Sequence, residues 1–433
     1  MNLNKFNRED TTVVITSFPN PKDGSTGNKG FNAVGWHSRK TLTRLSRYNP
    51  VLVLAEKRKG SDKQKLSDSL TIARVWEKGN IFSIIGLIPL ILKLNKTKSI
   101  FVQFEFNVFG GILPNLALLF TLLILRLAGK KVTFELHQVI TDIGLLQKHV
   151  PVSRPMRIFF NLSLRFFYVV LGLIASEIIV FEQMLKNRLK HYIRSKKINV
   201  LSLSVEPKRV IDKEKARRKL KLNSDEFIVM VFGFINGYKG IDWMVENLAD
   251  KSAGNNMRLL VAGGANPYLI DKPYYQKFYN GVVNEVKKHN HMTYAGFIPD
   301  DMVDYYFAAC DVVVLPYEVF MSASGPFSLA LSYKKPVILS EKLKSYSQSE
   351  DFVDALVESG LSTNDLFFPL TQSALLSRLY KLQKKVNYRK YVAFSSILAH
   401  KRSSESVVRK LHNILYPAPV ISIPAAKIHP AKA

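Results

Sequence analysis

The stretch FIVMVFGFINGYKGID (Phe227–Asp242) decides the fold of this chain. Its first part, Phe227–Phe232, is continuously apolar, which is typical of a strand buried on both faces of a parallel sheet. A glycine-rich loop, Gly233–Gly240, follows, and Ile241–Leu248 has the pattern of a helix. Lys239 adds positive charge where the helix dipole already favours anions. The stretch therefore predicts a phosphate site, with an ordinary strand–helix turn and a surface lysine as the alternative.

Three segments further along the chain repeat this strand–loop arrangement. Gly263-Gly264 follows a predicted strand, Tyr294–Asp300 is a turn at a strand end, and Ser324-Gly325 opens a helix after the apolar strand Val312–Pro316. Together with the loop at Gly233, these segments would line one edge of a parallel sheet. Ligands of such sheets bind in the crevice outside the carboxyl ends of the strands.

Strands also alternate with helices in the first half of the chain. The predicted strands there are Thr12–Ser17, Val51–Ala55, Ser99–Phe104, Lys131–Leu136 and Ser176–Phe181. Such alternation predicts a parallel sheet with helices on both faces. We therefore predict an α/β protein with domains at 1–204 and 205–395, a C-terminal helix at 396–416 and a disordered tail at 417–433.

Composition and charge limit the class of protein. The 433 residues are 47% hydrophobic and 22% charged, which is a globular composition. The formal net charge is +28, and residues 1–200 carry +19 of it, so the amino-terminal half is expected to meet an anionic partner. Cys310 is the single cysteine, which excludes a disulfide framework and favours a reducing, cytoplasmic compartment. The apolar run Val13–Ile15 is too short for the core of a signal peptide.

Four segments together show a resemblance to a known family. They are FGFINGYKGID, DKEKARRKLKL, YAGFIPDDMVDYYFAACDVVVLP and SGPFSLALSYKKPVI. In order and spacing they resemble the retaining glycosyltransferases of family 4, and the resemblance extends over nearly the whole chain. It implies the GT-B fold, with two Rossmann-like domains facing a central cleft. It also implies transfer of a sugar from a UDP- or GDP-sugar to an acceptor, with retention at the anomeric carbon.

The resemblance implies roles for individual residues of the donor site. Lys239 matches the family lysine that contacts the donor diphosphate, and Asn236 stands where a variant of the motif has an arginine. The turn at Phe297 and Ile298 matches the one that meets the nucleotide base. The donor-binding residues expected on this basis are Gly27, Gly30, Gly233, Asn236, Lys239, Gly263, Phe297, Ile298, Ser324, Gly325 and Phe327.

His137 and the loop with Gly27 and Gly30 are the site candidates in the first half. His137 follows a predicted strand, where the family often has a histidine near the transferred sugar. Such a histidine can bond a sugar hydroxyl or stabilise an oxocarbenium-like centre, and a purely structural hydrogen bond is the alternative. His137 and Lys239 are the expected catalytic residues. The glycine loop either approaches the donor diphosphate or is simply solvated.

The sequence departs from the family at its two-glutamate motif. Met321 and Leu329 stand where glutamates would contact the sugar and the ribose. In their place, the N–H groups of Gly325 and Phe327 at a helix start are expected to meet phosphate oxygens. Glu318 is either a substitute carboxylate or a solvated loop residue. The missing glutamates leave a catalytically inactive sugar- or nucleotide-binding relative as an alternative function.

The sequence predicts no metal and no cofactor, because it contains no Asp-x-Asp and its one close histidine pair, His289 and His291, has no cysteine nearby. Besides the nucleotide sugar, the expected partners are a glycan or lipid-linked acceptor and an anionic membrane surface on the inner face of the cell membrane. The basic stretches Lys57–Lys65, Lys186–Lys197 and the predicted helix Phe31–Tyr48 would contact that surface. A basic nucleic-acid-binding protein is the remaining alternative, but no zinc-finger, RNP-like or basic-heptad pattern supports it.

Three apolar stretches are too short or too interrupted to span a bilayer. They are Ile81–Leu92, Ile112–Ala128 and Phe166–Ala175, whereas a span needs about 20 apolar residues. Two interpretations remain open. The stretches are either buried helices packed on a sheet, or one of them dips into a leaflet without crossing it.

Overall fold

The structure, a computed structural model, describes residues 3–20, 33–58, 63–146, 153–209, 211–249 and 256–417. The described residues form two sheets, one in each half of the chain, and both are flanked by helices. The predicted α/β class with two doubly wound parallel-sheet domains is confirmed. Gly27 and Gly30, and the predicted tail from residue 418 onward, lie outside the described residues.

The amino-terminal sheet has the strand order β3-β4-β2-β1-β5-β6-β7-β8. Its strands are β1 (Thr12–Ile15), β2 (Val51–Glu56), β3 (Lys63–Lys65), β4 (Leu70–Trp76), β5 (Ser99–Phe104), β6 (Lys131–Leu136), β7 (Glu177–Val180) and β8 (Ile198–Val200). All pairs are parallel except β3 with β4. The helices of this half are α1 (Ala33–Leu45), α2 (Ile81–Ile85), α3 (Leu87–Leu92), α4 (Phe106–Phe109), α5 (Ile112–Leu127), α6 (Arg154–Ile174) and α7 (Gln183–Leu189).

The carboxyl-terminal sheet is parallel throughout, in the order β11-β10-β9-β12-β13-β14. Its strands are β9 (Phe227–Phe232), β10 (Met257–Ala262), β11 (Met292–Tyr294), β12 (Val312–Leu315), β13 (Val337–Ser340) and β14 (Phe367–Phe368). The helices are α8 (Lys213–Leu220), α9 (Ile241–Leu248), α10 (Pro273–Lys287), α11 (Asp300–Ala309), α12 (Gly325–Ser332), α13 (Glu350–Ser359), α14 (Thr363–Leu366), α15 (Gln372–Gln383), α16 (Lys385–Lys401) and α17 (Ser404–Leu415). The predicted bounds of β9 and α9 match the structure.

Helices cover both faces of the amino-terminal sheet, and neighbouring residues of β1 show which helices lie where. Val13 packs in a core with residues of α2, α3, α5 and α6. Val14 points to the other face, where α1 and α17 cover the sheet. This alternation follows from the period-2 geometry of a strand, and it separates the two helix layers.

The chain crosses between the domains at two adjacent points. Val205 N donates to Arg402 O at 2.8 Å, and a bridge pairs Val205 with Ser403. The buried Arg402 side chain donates to Asp351 of the carboxyl-terminal domain and to Glu182 of the amino-terminal one. The helix break at 402–403, seven residues after the predicted boundary at 395, separates α16, which is part of the carboxyl-terminal core, from α17, which completes the amino-terminal core.

Candidate active site

The loops predicted to hold the donor converge at the point where the order of the carboxyl-terminal sheet reverses. The chain proceeds from β9 outward to β10 and β11, and then returns to the other side of β9 with β12. Ligands of open parallel sheets bind at such a switch point. The loop at 233–240 follows β9, and the loop at 316–324 follows β12, so the two lie side by side.

Two glycines allow these loops to pack closely. A β-carbon on Gly240, whose φ is +64°, would lie 2.0 Å from the carbonyl oxygen of Pro316. A β-carbon on Gly263 would lie 2.0 Å from the carbonyl oxygen of Gly233. No other residue fits at either position without a shift of the backbone. The glycines noted in the sequence thus join three neighbouring strand-end loops.

Lys239 is a buried cation that has no partner in the described part of the chain. Its side chain lies in the 3-10 turn Gly237–Lys239, with 8% of the residue exposed, and it makes no hydrogen bond or ion pair with any described residue. Burial lowers the pKa of its ammonium to about 8. A β-carbon on Gly233 would lie 2.8 Å from Nζ of Lys239 and 3.3 Å from Cγ of Pro326, so the ammonium lies near the first turn of α12. The arrangement places a buried ammonium beside the start of a helix, and each of these attracts an anion.

The start of α12 offers fewer N–H groups than the sequence suggested. Ser324 is the N-cap, and its hydroxyl accepts from Phe327 N at 3.2 Å while it shares a 2.8 Å hydrogen bond with Tyr317. The N–H of Phe327 is therefore committed to the cap rather than open to a phosphate, and its side chain is buried. Pro326 has no N–H, so Gly325 provides the one N–H of the predicted pair that has no partner among the described residues.

The neighbouring predicted residues shape the loops. Asn236 is buried, and its Oδ1 accepts from Asn266 Nδ2 at 3.1 Å, which ties the β9 and β10 loops together. The ring of Phe297 stacks on that of Phe234, with 6.2 Å between centroids. Ile298 belongs to the core, so its side chain faces away from any ligand, and only its backbone remains for one.

The positions of the missing glutamates are apolar and packed. Met321 is buried, and Leu329 packs against the carboxyl-terminal core. Glu318 lies against Gly240, and burial together with the Glu318 charge raises the pKa of Asp242 to about 6. Glu318 N donates to Tyr238 O at 2.9 Å, which places its backbone beside the Lys239 turn.

His137 is part of a cluster that the sequence analysis missed. Nε2 of His137 and Nε2 of His37 each lie 3.0 Å from Oε1 of Glu135. The two rings meet edge to face at 5.0 Å, and both contact Phe181. Burial by itself would raise the pKa of the Glu135 carboxyl, but the charges and hydrogen bonds of His37 and His137 hold it well below its ordinary value.

A chain of hydrogen bonds anchors this cluster in the amino-terminal domain. Gln103 Nε2 donates to Glu135 Oε1 at 2.9 Å, and Ser38 Oγ donates to Gln103 Oε1 at 2.6 Å. The ligand atoms of His37, Glu135 and His137 all lie within 4.8 Å of one another, a composition compatible with a metal ion. Both imidazole nitrogens already contact the same carboxylate oxygen. The prediction that no metal takes part stays a prediction.

Side chains from the two domains face each other across the cleft. Burial raises the pKa of Tyr238, and the Glu105 carboxylate of the opposite domain adds to this. Arg188 on α7 donates to Val139 O at 3.0 Å and to Phe320 O at 2.8 Å. It thus connects the loop that follows His137 with the loop that precedes Ser324.

Two further basic residues of the carboxyl-terminal domain, Arg217 and Arg218, lie away from the donor site. Arg217 is buried at the opposite edge of the sheet, where its guanidinium donates to Asp311 at 2.7 Å, before β12 begins. Arg218 lies on the same helix, α8. Neither can reach a ligand at the carboxyl ends of the strands.

The Glu-x-His spacing at 135–137, which puts both side chains on one face of a strand end, was the available signal for the histidine cluster.

Comparison with known proteins gives one family and a set of similar structures. Residues 212–357 match the family described as "Glycosyl transferases group 1". The structure is similar to sucrose-phosphate synthase from Thermosynechococcus elongatus, with 16% identity, a TM-score of 0.66 and coverage of 94% of this chain and 98% of that chain. It is also similar to HepE from Anabaena in complex with UDP and glucose (14% identity, TM-score 0.62, coverage 94% and 99%).

A third similar structure is WaaG, a glycosyltransferase involved in lipopolysaccharide biosynthesis (12% identity, TM-score 0.59, coverage 94% and 100%). No curated protein matches the chain. The chain therefore has the fold of the GT-B glycosyltransferases. The family match covers most of the domain that holds Lys239 and the start of α12, and it supports the expected class of protein, a glycosyltransferase.

Proposed function

We propose that this chain transfers a sugar from a nucleotide diphosphate sugar to a glycan or a lipid-linked glycan, with retention of configuration. The observation that carries the proposal is the buried ammonium of Lys239 at the switch point of a parallel sheet, which has no partner among the described residues. Burying an unpaired charge is costly, so its persistence fits an anionic group that arrives with the substrate. A diphosphate has the charge and the size for this place.

The two domains supply different parts of the reaction. Lys239 and the N–H of Gly325 hold the diphosphate and stabilise the negative charge that grows on it as the bond to the sugar breaks. The Phe297 turn meets the nucleotide base through backbone atoms. His137 faces the sugar and either bonds a hydroxyl or stabilises the oxocarbenium-like centre.

The acceptor completes the reaction from the side of the leaving group. Its hydroxyl oxygen forms the new bond to the anomeric carbon, the bond from that carbon to the diphosphate breaks, and a phosphate oxygen of the donor accepts the hydroxyl proton. Closure of the domains excludes water, which would otherwise hydrolyse the donor. This mechanism includes no metal ion.

The similar structures support the choice of donor and suggest a biological setting. HepE has been solved with UDP and with UDP-glucose, so UDP-sugars are the first donors to test. WaaG is described as acting in lipopolysaccharide biosynthesis. We propose a role in the biosynthesis of a cell-surface polysaccharide or lipopolysaccharide, in the cytoplasm and peripheral to the inner face of the cell membrane.

An inactive donor-binding relative is the second candidate function, because Met321 and Leu329 replace acidic residues of the family motif with packed apolar ones. Binding and turnover distinguish the two candidates. An inactive relative would bind the nucleotide sugar but release no free sugar or nucleotide from it. Slow hydrolysis of the donor without acceptor would exclude that candidate.

A thermal-shift screen of UDP-, GDP-, ADP- and TDP-sugars tests the proposal. A ligand at 100 times its dissociation constant stabilises the folded state by about 2.7 kcal/mol, which moves the melting temperature measurably. We expect one nucleotide series to stabilise the protein, and Lys239→Ala to reduce the shift. No shift with any series would contradict the proposed function.

A further inference from the structure

Two helices of the amino-terminal domain expose parallel apolar stripes to solvent. On each helix the exposed side chains recur at alternating spacings of three and four residues, and their exposed fractions range from 39% to 75%. We call these ten side chains the apolar face; they are Leu113, Leu116, Phe120, Leu123 and Leu127 on α5 and Phe159, Leu162, Phe166, Val169 and Leu173 on α6.

The fold does not need this surface, because the opposite side of each helix already packs in the core. Leu118 and Leu122 of α5 are buried against the sheet, as are Phe167 and Leu171 of α6. By length and composition, α6 is the one helix among the described residues that could cross a membrane. Its core-packed side holds it flat on the domain. A helix layer of this kind is suited to lie in a membrane interface.

The helices that carry and flank the apolar face have charges of one sign, and Arg157 of α6 is paired with Asp142 of the preceding loop at 2.9 Å. None of α2, α3, α5 and α6 contains Asp or Glu, and their charged residues are all arginines. Arg154 and Arg165 are exposed on α6. Exposed lysines follow the carboxyl ends of α3 and α5, at Lys93, Lys96 and Lys131. An apolar surface with a cationic border complements an anionic lipid leaflet.

We propose that the apolar face inserts into the headgroup–acyl boundary of an anionic leaflet and holds the chain flat on the membrane. Large exposed apolar patches mark interaction sites, and single-sign charge selects the partner. A second copy docked through the same face by a two-fold axis would bring the arginine-bearing faces of two α6 helices together. An anionic lipid surface neutralises these charges instead.

The apolar face lies on the other side of the sheet from one of the three basic stretches, the predicted helix Phe31–Tyr48. Helix α1 lies on the other side of the sheet, under α17, and its Arg44 pairs with Glu206 at 2.7 Å. Helices α5 and α6 run back from the carboxyl edge of the sheet, so their first residues lie at the edge that carries His137. The leaflet would therefore lie beside the cleft mouth, within reach of a lipid-linked acceptor. This last point rests on the proposed function, whereas the membrane contact does not.

Vesicle flotation of the full chain tests the proposal. The probe is vesicles of equal amounts of phosphatidylcholine and phosphatidylglycerol, compared with phosphatidylcholine alone. Phe120→Glu with Phe166→Glu should weaken binding to the anionic vesicles at least about 100-fold. Each change removes a large apolar contact with the lipid and adds a negative charge that the anionic leaflet repels. The matched control, Val357→Glu with Val386→Glu, changes residues that are 74% and 71% exposed on the other domain and should bind like the unaltered chain.

The charge contribution and the depth of insertion are separate readouts. Arg154→Gln with Arg165→Gln should weaken binding about fivefold for each arginine, and the loss should shrink in high salt. A polarity-sensitive dye on Phe120→Cys should shift to the blue on anionic vesicles, and the same dye on Val357→Cys should not. The native Cys310 is buried, which restricts labelling to the introduced thiol.

The outcomes distinguish this proposal from the proposed function. Equal vesicle binding by the Phe120 and Phe166 variant would overturn the membrane contact. So would a vesicle-independent dimer that this variant dissociates, since the face would then join two copies. The variant should keep the thermal shift with nucleotide sugars, which shows that it folds. If the unaltered chain floats but no nucleotide sugar binds, the membrane contact stands and the proposed function fails.

Discussion

A β-carbon on Gly233 would lie 2.8 Å from Nζ of Lys239, and the φ of Gly233 is +102°, a conformation that other residues rarely adopt. The Lys239 ammonium therefore occupies the space into which a side chain at position 233 would extend. Gly233→Ala should displace the lysine and strain the loop, and lower the affinity for the donor nucleotide by about tenfold or more, since strain of this kind costs on the order of 1–3 kcal/mol. Titration calorimetry with UDP measures it. Gly281→Ala is the matched control. A β-carbon on Gly281, a residue of α10, would have no neighbouring atom within 4 Å, so this change should not affect the affinity.

Removing the Lys239 charge should affect turnover more than binding. Lys239→Ala should lower the rate of sugar transfer by about 10²–10³, as when one preorganised donor is lost. Lys239→Gln should be nearly as slow, because it keeps the length but not the charge. Lys219→Ala, an exposed lysine of α8, serves as the control. If both Lys239 variants keep more than about a tenth of the rate, a deficit under 1.4 kcal/mol, the diphosphate is held elsewhere.

The same lysine should destabilise the empty protein. Its pKa is about 8 in the folded chain and about 10.4 in an unfolded one, so the unfolded state binds the extra proton between these values. The free energy of unfolding should therefore rise as pH increases from 8 to 10. Lys239→Met should stabilise the empty protein at pH 7 by on the order of 2–3 kcal/mol and remove this part of the pH dependence. Urea denaturation of both proteins measures the difference. A less stable methionine variant would show that the ammonium has a favourable partner.

The loop that holds Lys239 could be predicted because its residues are contiguous in sequence. Phe227–Leu248 contains a strand, a turn and a helix start, and local glycine and lysine positions determine their geometry. The commitment of the Phe327 N–H to Ser324 was not visible, because a cap and a ligand donor have the same sequence pattern. The burial of Arg217 at the far edge also depends on Asp311, which is distant in sequence.

The other domain was less predictable for the same physical reason. His37 lies on a helix and Glu135 on a strand, and only the parallel packing of β1, β5 and β6 brings them together. The apolar stretches posed a similar difficulty. Composition shows that Ile112–Leu127 is mostly apolar, but which side is left exposed depends on how the helix docks on the sheet.

The histidine cluster yields the sharpest comparison, because His37 and His137 make the same 3.0 Å contact with Glu135 Oε1. If both are structural, His37→Ala and His137→Ala should cost similar stability and similar activity. We expect His137→Ala alone to lower turnover by about 10²-fold, within the range for a group acting on the reacting centre, with nucleotide affinity unchanged.

Glu135→Gln completes this test, since it keeps the shape of the carboxylate and removes its charge. It should lower turnover as His137→Ala does, and the two changes combined should be no slower than His137→Ala alone, because Glu135 acts through the histidine. His289→Ala, which alters a histidine at the far end of α10, is the control for a general histidine effect. Equal turnover of the His37 and His137 variants would make the cluster purely structural and remove His137 from the mechanism.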